Sequence, residues 1–243
     1  MSPGPASRRA LADAVDWRLY LVTDPHLGGR RDAVPGIVYE AVLGGVGVVQ
    51  VRDKECDDDE FATHAGAVAE AASRAAAEAG REVAVFVNDR LDVARKLGLH
   101  LHIGQRDVPF AEARAALPAE LMLGLSIESD AQLAAALADR AVAPDVIGVS
   151  PVWATATKTD TAAALGVQGA DRIARAAHAH NPAGSGGVRA VGIGGVGPSN
   201  VAELAATALD GVCVVSAIMA ATDPRAAATD LLARWDAASA GRG

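Results

Sequence analysis

Asp89 and Asp107 are carboxylates that closely follow two apolar runs, Val83–Asn88 and Leu99–Ile103. Two carboxylates brought to one place suit a hard cation. Mg²⁺ takes one or two of them and fills its octahedron with water and phosphate oxygens. A second reading of Asp89 is a helix cap, because Arg90-Leu91-Asp92-Val93 follows it. Spacing alone leaves the two open. Gln50, Arg52 and Lys54 follow a further apolar run, and Lys158 ends the polar stretch Thr155-Ala156-Thr157-Lys158. An Arg fork and Lys point charges beside Mg²⁺ form a set suited to a diphosphate. The alternative is a solvated charged edge. It is weakened by the carboxylates that share the same positions in an otherwise acidic chain.

Gly192-Ile193-Gly194-Gly195-Val196-Gly197 matches the spacing of a dinucleotide fingerprint. About twenty residues further on, where an acidic ribose ligand would stand, the chain has Val214-Val215-Ser216. What survives is a site where backbone amides and a helix N-terminus hold one phosphate. His100 and His102 alternate on one strand face, which invites a zinc site, but no third ligand stands near them. They read as packed or hydrogen-bonded residues. His178 and His180 do not share a helix face and read as a C-terminal dipole partner or chance.

These residues need a frame. Strand-like runs recur at Trp17–Thr23, Val46–Arg52, Val83–Asn88, Leu99–Ile103, Leu121–Ser126, Asp145–Val149, Val188–Ile193 and Gly211–Val215. Between them lie helical spacings such as Asp59–Ala79, Ser129–Ala138, Val167–His180 and Ser199–Ala208. Near-continuous apolar strands indicate a parallel sheet covered on both faces. Eight such units in 243 residues predict an α/β fold, a single-domain (β/α)₈ TIM barrel, with an open doubly wound sheet as the alternative. Residues 1–14 read as a flexible N-terminal segment, 15–238 as the barrel domain, and the last residues as frayed. In a barrel, chemistry belongs on the loops after the strands. Gln50, Arg52, Lys54, Asn88, Asp89, Gln105, Asp107, Ser126, Thr155, Thr157, Lys158, Gly194, Gly195 and Ser216 all fall there.

Lys plus Arg is 22 against 30 Asp plus Glu, a net charge of −8, and no dense basic stripe is present. Nucleic acid is therefore excluded as a partner. No stretch reaches the roughly 18 apolar residues that a membrane span requires. The two cysteines match no ligand or redox spacing, and Met1–Asp16 lacks the apolar run of a signal peptide. These features predict a cytoplasmic protein acting on small molecules, and they are compatible with a homo-oligomer.

Six motifs in order carry a family resemblance: Gln50-Val-Arg52-Asp-Lys54, Val87-Asn88-Asp89-Arg-Leu-Asp92, His102-Ile-Gly-Gln105-Arg-Asp107, Gly124-Leu-Ser126, Thr155-Ala-Thr157-Lys158 and Gly192-Ile-Gly-Gly195. With these the chain resembles the thiamine-phosphate synthase family from Leu19 to Ile218. The resemblance implies a transferase that joins 4-amino-2-methyl-5-hydroxymethylpyrimidine diphosphate to a thiazole phosphate with Mg²⁺ as cofactor. By motif, Gln50, Arg52, Lys54, Asn88, Ser126 and Lys158 would hold the pyrimidine diphosphate, and Asp89 and Asp107 the Mg²⁺. Of these, Arg52, Lys54, Ser126 and Lys158 would act in catalysis. Thr155, Thr157, Gly194, Gly195, Val215 and Ser216 would hold the thiazole phosphate. The loop from Ala154 to Ala164 would close over the site. Asp53, Arg106 and Ile127 depart from the family pattern, which more often has Glu, an acidic residue and Thr there, and the Pro often found between Thr155 and Thr157 is absent. Alternatives are a thiazole phosphate tautomerase of a related barrel group, and a non-catalytic thiamine-phosphate binding protein.

Overall fold

The computed structural model describes residues 8–139, 142–154, 163–180 and 187–241. Eight parallel strands close into one barrel: β1 (Leu19–Val22), β2 (Val48–Val51), β3 (Ala84–Asn88), β4 (His100–Ile103), β5 (Leu123–Ile127), β6 (Val146–Val149), β7 (Arg189–Ile193) and β8 (Gly211–Val214). Each pairs with its sequence neighbour, and β8 returns to β1 with Tyr20 opposite Cys213. This is a TIM barrel.

Residues buried on both faces form these strands because side chains alternate between the barrel interior and the surrounding helices. The helices are α1 (Arg8–Ala14), α2 (Val34–Leu43), α3 (Asp58–Ala79), α4 (Leu91–Leu97), α5 (Phe110–Ala116), α6 (Asp130–Ala136), α7 (Gly166–Ala179), α8 (Val201–Ala205), α9 (Ser216–Met219) and α10 (Pro224–Ser239). Sequence caps set two of the predicted starts. The Asp57 carboxylate accepts from Glu60 N–H before α3, and the Ser129 hydroxyl accepts from Gln132 N–H before α6. The helix expected over Ser199–Ala208 is shorter, Val201–Ala205, and Thr207 Oγ1 donates to the Leu204 carbonyl just beyond its end.

Two cores result. The outer one lies between strands and helices and holds Leu21, Val49, Val87, Leu101, Ile127 and Ile147 with α2 and α3. The inner one fills the lower barrel with Tyr20, Phe86, Met122, Val146, Val191 and Cys213. Part of the segment expected to be a flexible terminus, Arg8–Ala14, is helical and closes this inner core from below. Ala12 is buried there, and its carbonyl accepts from Trp17 Nε1 at 2.7 Å. Arg8 Nε holds Asp145 Oδ1 at 3.0 Å and fixes the helix to the foot of β6. Seven residues carry too little periodicity to announce such a helix; its partners at the barrel floor supply the stability.

Candidate functional site

Above the inner core the barrel opens into a cavity of about 650 Å³ that receives residues from all eight strands. Gln50, Arg52, Lys54, Asn88, Asp89, Asp107, Ser126, Gly194, Gly195, Val215 and Ser216 all line it. Thr155, Thr157, Lys158 and most of the expected closing loop lie outside the described residues.

The acidic pair is built by two tight turns. Asp89 has φ 63°, in the left-handed region that an Asp side chain tolerates better than most. Arg90 N–H donates back to the Asn88 carbonyl at 2.8 Å, and Asp89 N–H donates to the His102 carbonyl at 2.9 Å. Asp89 does not cap α4, whose N-cap residue is Arg90 and which has no side-chain cap bond. On the neighbouring loop Gly104 N–H donates to Asp107 Oδ2 at 2.6 Å. The two carboxyl groups meet, and burial, reinforced by Asp107, pushes Asp89 up to about 6. Lys54 Nζ, 3.5 Å from Asp89 Oδ2, works against that rise. Two hard oxygen donors forced together at a cavity wall fit a divalent cation that completes its shell with water and phosphate oxygens.

The loop after β2 is fixed from both sides. Asp53 points away from the cavity into a cage: Arg31 donates through Nε at 2.8 Å and Nη2 at 2.7 Å, and Glu55 N–H donates at 2.9 Å. Burial alone would push Asp53 up, but the Glu55 N–H and the Arg31 guanidinium outweigh it and hold this carboxyl below its ordinary value. Arg90, beside Asp89, reaches across to the same loop. It donates to the carbonyls of Cys56 at 2.6 Å and Asp53 at 3.2 Å, pairs with Asp58, and lies 4.5 Å over the Phe61 ring. Arg52 N–H donates to the buried Thr23 hydroxyl at 3.1 Å. The positions of Lys54 and Asp89 are thus mechanically linked.

On the opposite wall Gly194 (φ 106°) and Gly195 (φ 68°) make a turn that no β-carbon allows. A Cβ on Gly194 would stand 2.9 Å from Pro151 Cα, and one on Gly195 2.9 Å from Trp153 Cβ. The turn is bonded to its neighbour, with Val152 N–H on the Ile193 carbonyl at 2.9 Å and Trp153 N–H on the Gly194 carbonyl at 3.1 Å. Asn200 braces it from behind: Oδ1 accepts from Gly197 N–H and Nδ2 donates to the Gly195 carbonyl, both at 2.9 Å. The helices that follow, α8 and α9, have five and four residues. What each offers an anion is its first-turn N–H groups, with little help from a long helix dipole.

Sequence reasoning left several cavity residues without a role. His102 Nε2 lies 3.1 Å from Ser126 Oγ, and its ring occupies space vacated by two glycines. A Cβ on Gly124 would stand 2.4 Å from His102 Nδ1, and one on Gly148 3.4 Å from Cε1. Those glycines facing a strand histidine were the available signal. His100, by contrast, sits lower, accepts from Met122 N–H through Nδ1 at 3.1 Å, and is pushed down to about 4 by burial. It is a neutral structural residue. Gln105 donates to the Ser126 carbonyl at 2.6 Å, and Tyr20, Arg106, Glu128 and Gln132 also line the cavity. Of the departures, the missing Pro between Thr155 and Thr157 lies outside the described residues, Asp53 serves its cage, and Ile127 packs fully buried in the outer core. Only Arg106 faces the cavity. His178 pairs with Asp210 at 2.8 Å on the far face of the barrel.

Residues 19–218 match the family profile described as Thiamine monophosphate synthase. The chain is 49% identical over 226 residues to "Thiamine biosynthesis multifunctional protein ThiED" of Corynebacterium efficiens, covering 91% of this chain and 29% of that protein. It therefore spans less than a third of that relative's length. It is 37% identical over 223 residues to "Thiamine-phosphate synthase" of Desulfitobacterium hafniense, covering 91% of this chain and 99% of the relative. Among solved structures, "Thiamine phosphate pyrophosphorylase" from Pyrococcus furiosus superposes with a TM-score of 0.73 at 27% identity, over 93% of this chain and 98% of that one. No helix among the described residues is long and apolar enough to cross a membrane.

Proposed function

The chain belongs to the thiamine monophosphate synthase family, and from that premise we propose that it condenses 4-amino-2-methyl-5-hydroxymethylpyrimidine diphosphate with a thiazole phosphate, giving thiamine phosphate and diphosphate. One observation carries the reading: Lys54 meets the Asp89–Asp107 pair on the wall of the same cavity that Gly194 and Gly195 line on the other side. An anion site with its cation ligands then faces a backbone-amide site, as two phosphorylated substrates require. The tautomerase and the non-catalytic binder, the two alternatives, leave the acidic pair and its lysine without a task.

Asp89 and Asp107 would hold Mg²⁺, which when bound neutralises diphosphate charge. Arg52 and Lys54 would bind the diphosphate oxygens at the rim, and Gln50, Asn88 and Ser126 the rest of that substrate. Lys158 is assigned to the same anion. Amides at Gly194, Gly195, Val215 and Ser216, with Thr155 and Thr157, would hold the thiazole phosphate.

In the reaction the bond from the pyrimidine methylene carbon to the diphosphate oxygen breaks, and its electron pair leaves with diphosphate. The thiazole nitrogen lone pair then forms the new carbon–nitrogen bond, and the positive charge ends on the thiazolium. No proton moves, so no general base is needed. The protein's part is to stabilise the departing anion electrostatically and to keep water from the carbocation. A cytoplasmic location belongs to this reading, supported by two cysteines that are both free and buried.

The test is incubation with both substrates and Mg²⁺, with diphosphate and thiamine phosphate measured together. Equal amounts of the two products are expected. Release of diphosphate without thiamine phosphate, or neither product, would overturn the assignment.

A further inference from the structure

Branched apolar side chains are the usual filling of a closed barrel. On β4 this barrel has a histidine instead. His102 is 7% exposed, and its register partner on β5 is Gly124. Ser126 follows two residues along on the same face of β5, and its own partner on β6 is Gly148. A methyl at Gly124 would collide with the imidazole, and a methyl at Gly148 would already touch its Cε1. Glycine inside a strand weakens it and offers no side chain to pack. Two neighbouring strands therefore give up side chains around one ring, a cost that packing alone does not explain.

The ring reaches Ser126, with Nε2 3.1 Å from Oγ. The backbone on both sides of this contact is held. β5 is paired along both edges, and the Ser126 carbonyl accepts from Gln105 Nε2 at 2.6 Å. The His102 carbonyl accepts from Asp89 N–H at 2.9 Å. What a strand cannot fix is the direction of a hydroxyl proton, which rotates to suit its partners. Serine has one such proton. Given to Nε2, it leaves the hydroxyl only lone pairs to offer the cavity. If Nε2–H donates instead, the proton is free to point into the cavity. Departure of an anion calls for donors aimed at the developing charge, and only the second polarity supplies one.

We propose that His102 is a positioning residue: its Nε2–H donates to Ser126 Oγ and directs the single hydroxyl proton of that serine toward an acceptor of the pyrimidine diphosphate. The histidine acts through the serine and transfers no proton itself, in keeping with a reaction that needs no general base. The proposal rests on the functional reading above and deepens it, because it makes the part assigned to Ser126 depend on a side chain of the neighbouring strand.

A double-mutant cycle separates this role from packing. His102→Leu removes the donor and keeps an apolar side chain of similar size. It should lower kcat/KM for the pyrimidine diphosphate about tenfold or more and leave KM for the thiazole phosphate within about twofold. In a Ser126→Ala background the same substitution should change kcat/KM by less than about twofold, because the hydroxyl it serves is gone. His102→Gln, which keeps an N–H donor, should recover part of the loss. Equal losses from His102→Leu in the two backgrounds would show packing alone and overturn the proposal. Nitrogen-15 NMR of the ligand-free wild type carries the test should the leucine variant fail to fold. The His102 ring, assigned by its absence from the His102→Gln spectrum, should be the Nε2–H tautomer, and the Nδ1–H tautomer would overturn the proposal. A wild type that makes no thiamine phosphate would instead overturn the functional reading while the tautomer is still read, so the two failures are distinguishable.

Discussion

Lys54 Nζ stands 3.5 Å from Asp89 Oδ2, joining the loop after β2 to the loop after β3 at the cavity mouth. The lysine is more than half exposed, so the contact contributes little to folding. Its meaning is positional. On the proposed function, the cation that would meet the substrate anion and a carboxylate that would hold Mg²⁺ share one point.

Asp89→Asn tests the acidic pair. Asn tolerates the left-handed backbone at this position and removes the repulsion from Asp107. In a chelator the variant should unfold at or above the wild-type Tm. Addition of Mg²⁺ should raise the Tm of the wild type and leave the variant unmoved, while turnover falls by about 10²-fold or more. Full turnover of the variant in excess chelator would remove the metal assignment. Asp89→Val should also lose about 1–2 kcal/mol of stability, because a β-branched residue is strained there.

Arg90→Ala should loosen the loop that carries Lys54. It removes donors to the Asp53 and Cys56 carbonyls and the stack on Phe61, and denaturant unfolding should show a loss of about 2–3 kcal/mol. KM for the pyrimidine diphosphate should rise more than KM for the thiazole phosphate. Arg90→Lys should restore little, since an ammonium cannot reproduce the planar fork. Restoration of stability and KM by lysine would show that charge alone matters here.

Asn200→Ala should act on the other substrate. Without the brace between Gly195 and Gly197 the amides lose their fixed direction, and KM for the thiazole phosphate should rise about tenfold with kcat within a few-fold of the wild type. Asn200→Asp keeps the acceptor for Gly197 and should lie between the two. Steady-state kinetics with each substrate varied in turn decides it; a uniform loss in kcat with unchanged KM would contradict the bracing role.

Asp53 gives the molecule a defined acid limb. Its carboxyl is depressed in the fold, so the stability it contributes is fully present above its unfolded value of about 4 and is lost as pH falls through the lower folded value. Asp53→Asn should therefore be less stable than the wild type near neutrality. The gap should close as the pH drops below about 4. Chemical denaturation over a pH series measures it, and a gap independent of pH would show that Arg31 does not rely on the charge.

The barrel was legible because its strands are apolar on both faces and the scarce polar residues sit at their C-terminal ends. Asp89, Asp107, Gly194 and Gly195 could be placed by that rule alone. Direction was the harder quantity. When both faces of a strand are buried, an apolar run does not say which residues look inward. Tyr20 therefore stood only as one residue of a strand run and His102 as a packed or hydrogen-bonded residue, while Asp53 and Ile127 count as departures from the family pattern although neither faces the cavity. Arg90 escaped because its role depends on carbonyls of a loop more than thirty residues earlier. Residues 8–14 escaped because their helix exists only against the floor of a finished barrel.

The pairing of β8 with β1 bears on how the protein is made. Tyr20 meets Cys213 across that seam, so the chamber's floor joins the first and the last strand of the barrel. Until β8 emerges, β1 and β7 present open edges of a barrel that lacks one strand, the kind of edge that recruits strands from other chains. Pairing between such distant residues also slows folding. A nascent chain halted before Gly211 would thus be adhesive and would lack the wall that Cys213–Ser216 give the cavity, and completion of the cavity would mark the moment of ring closure.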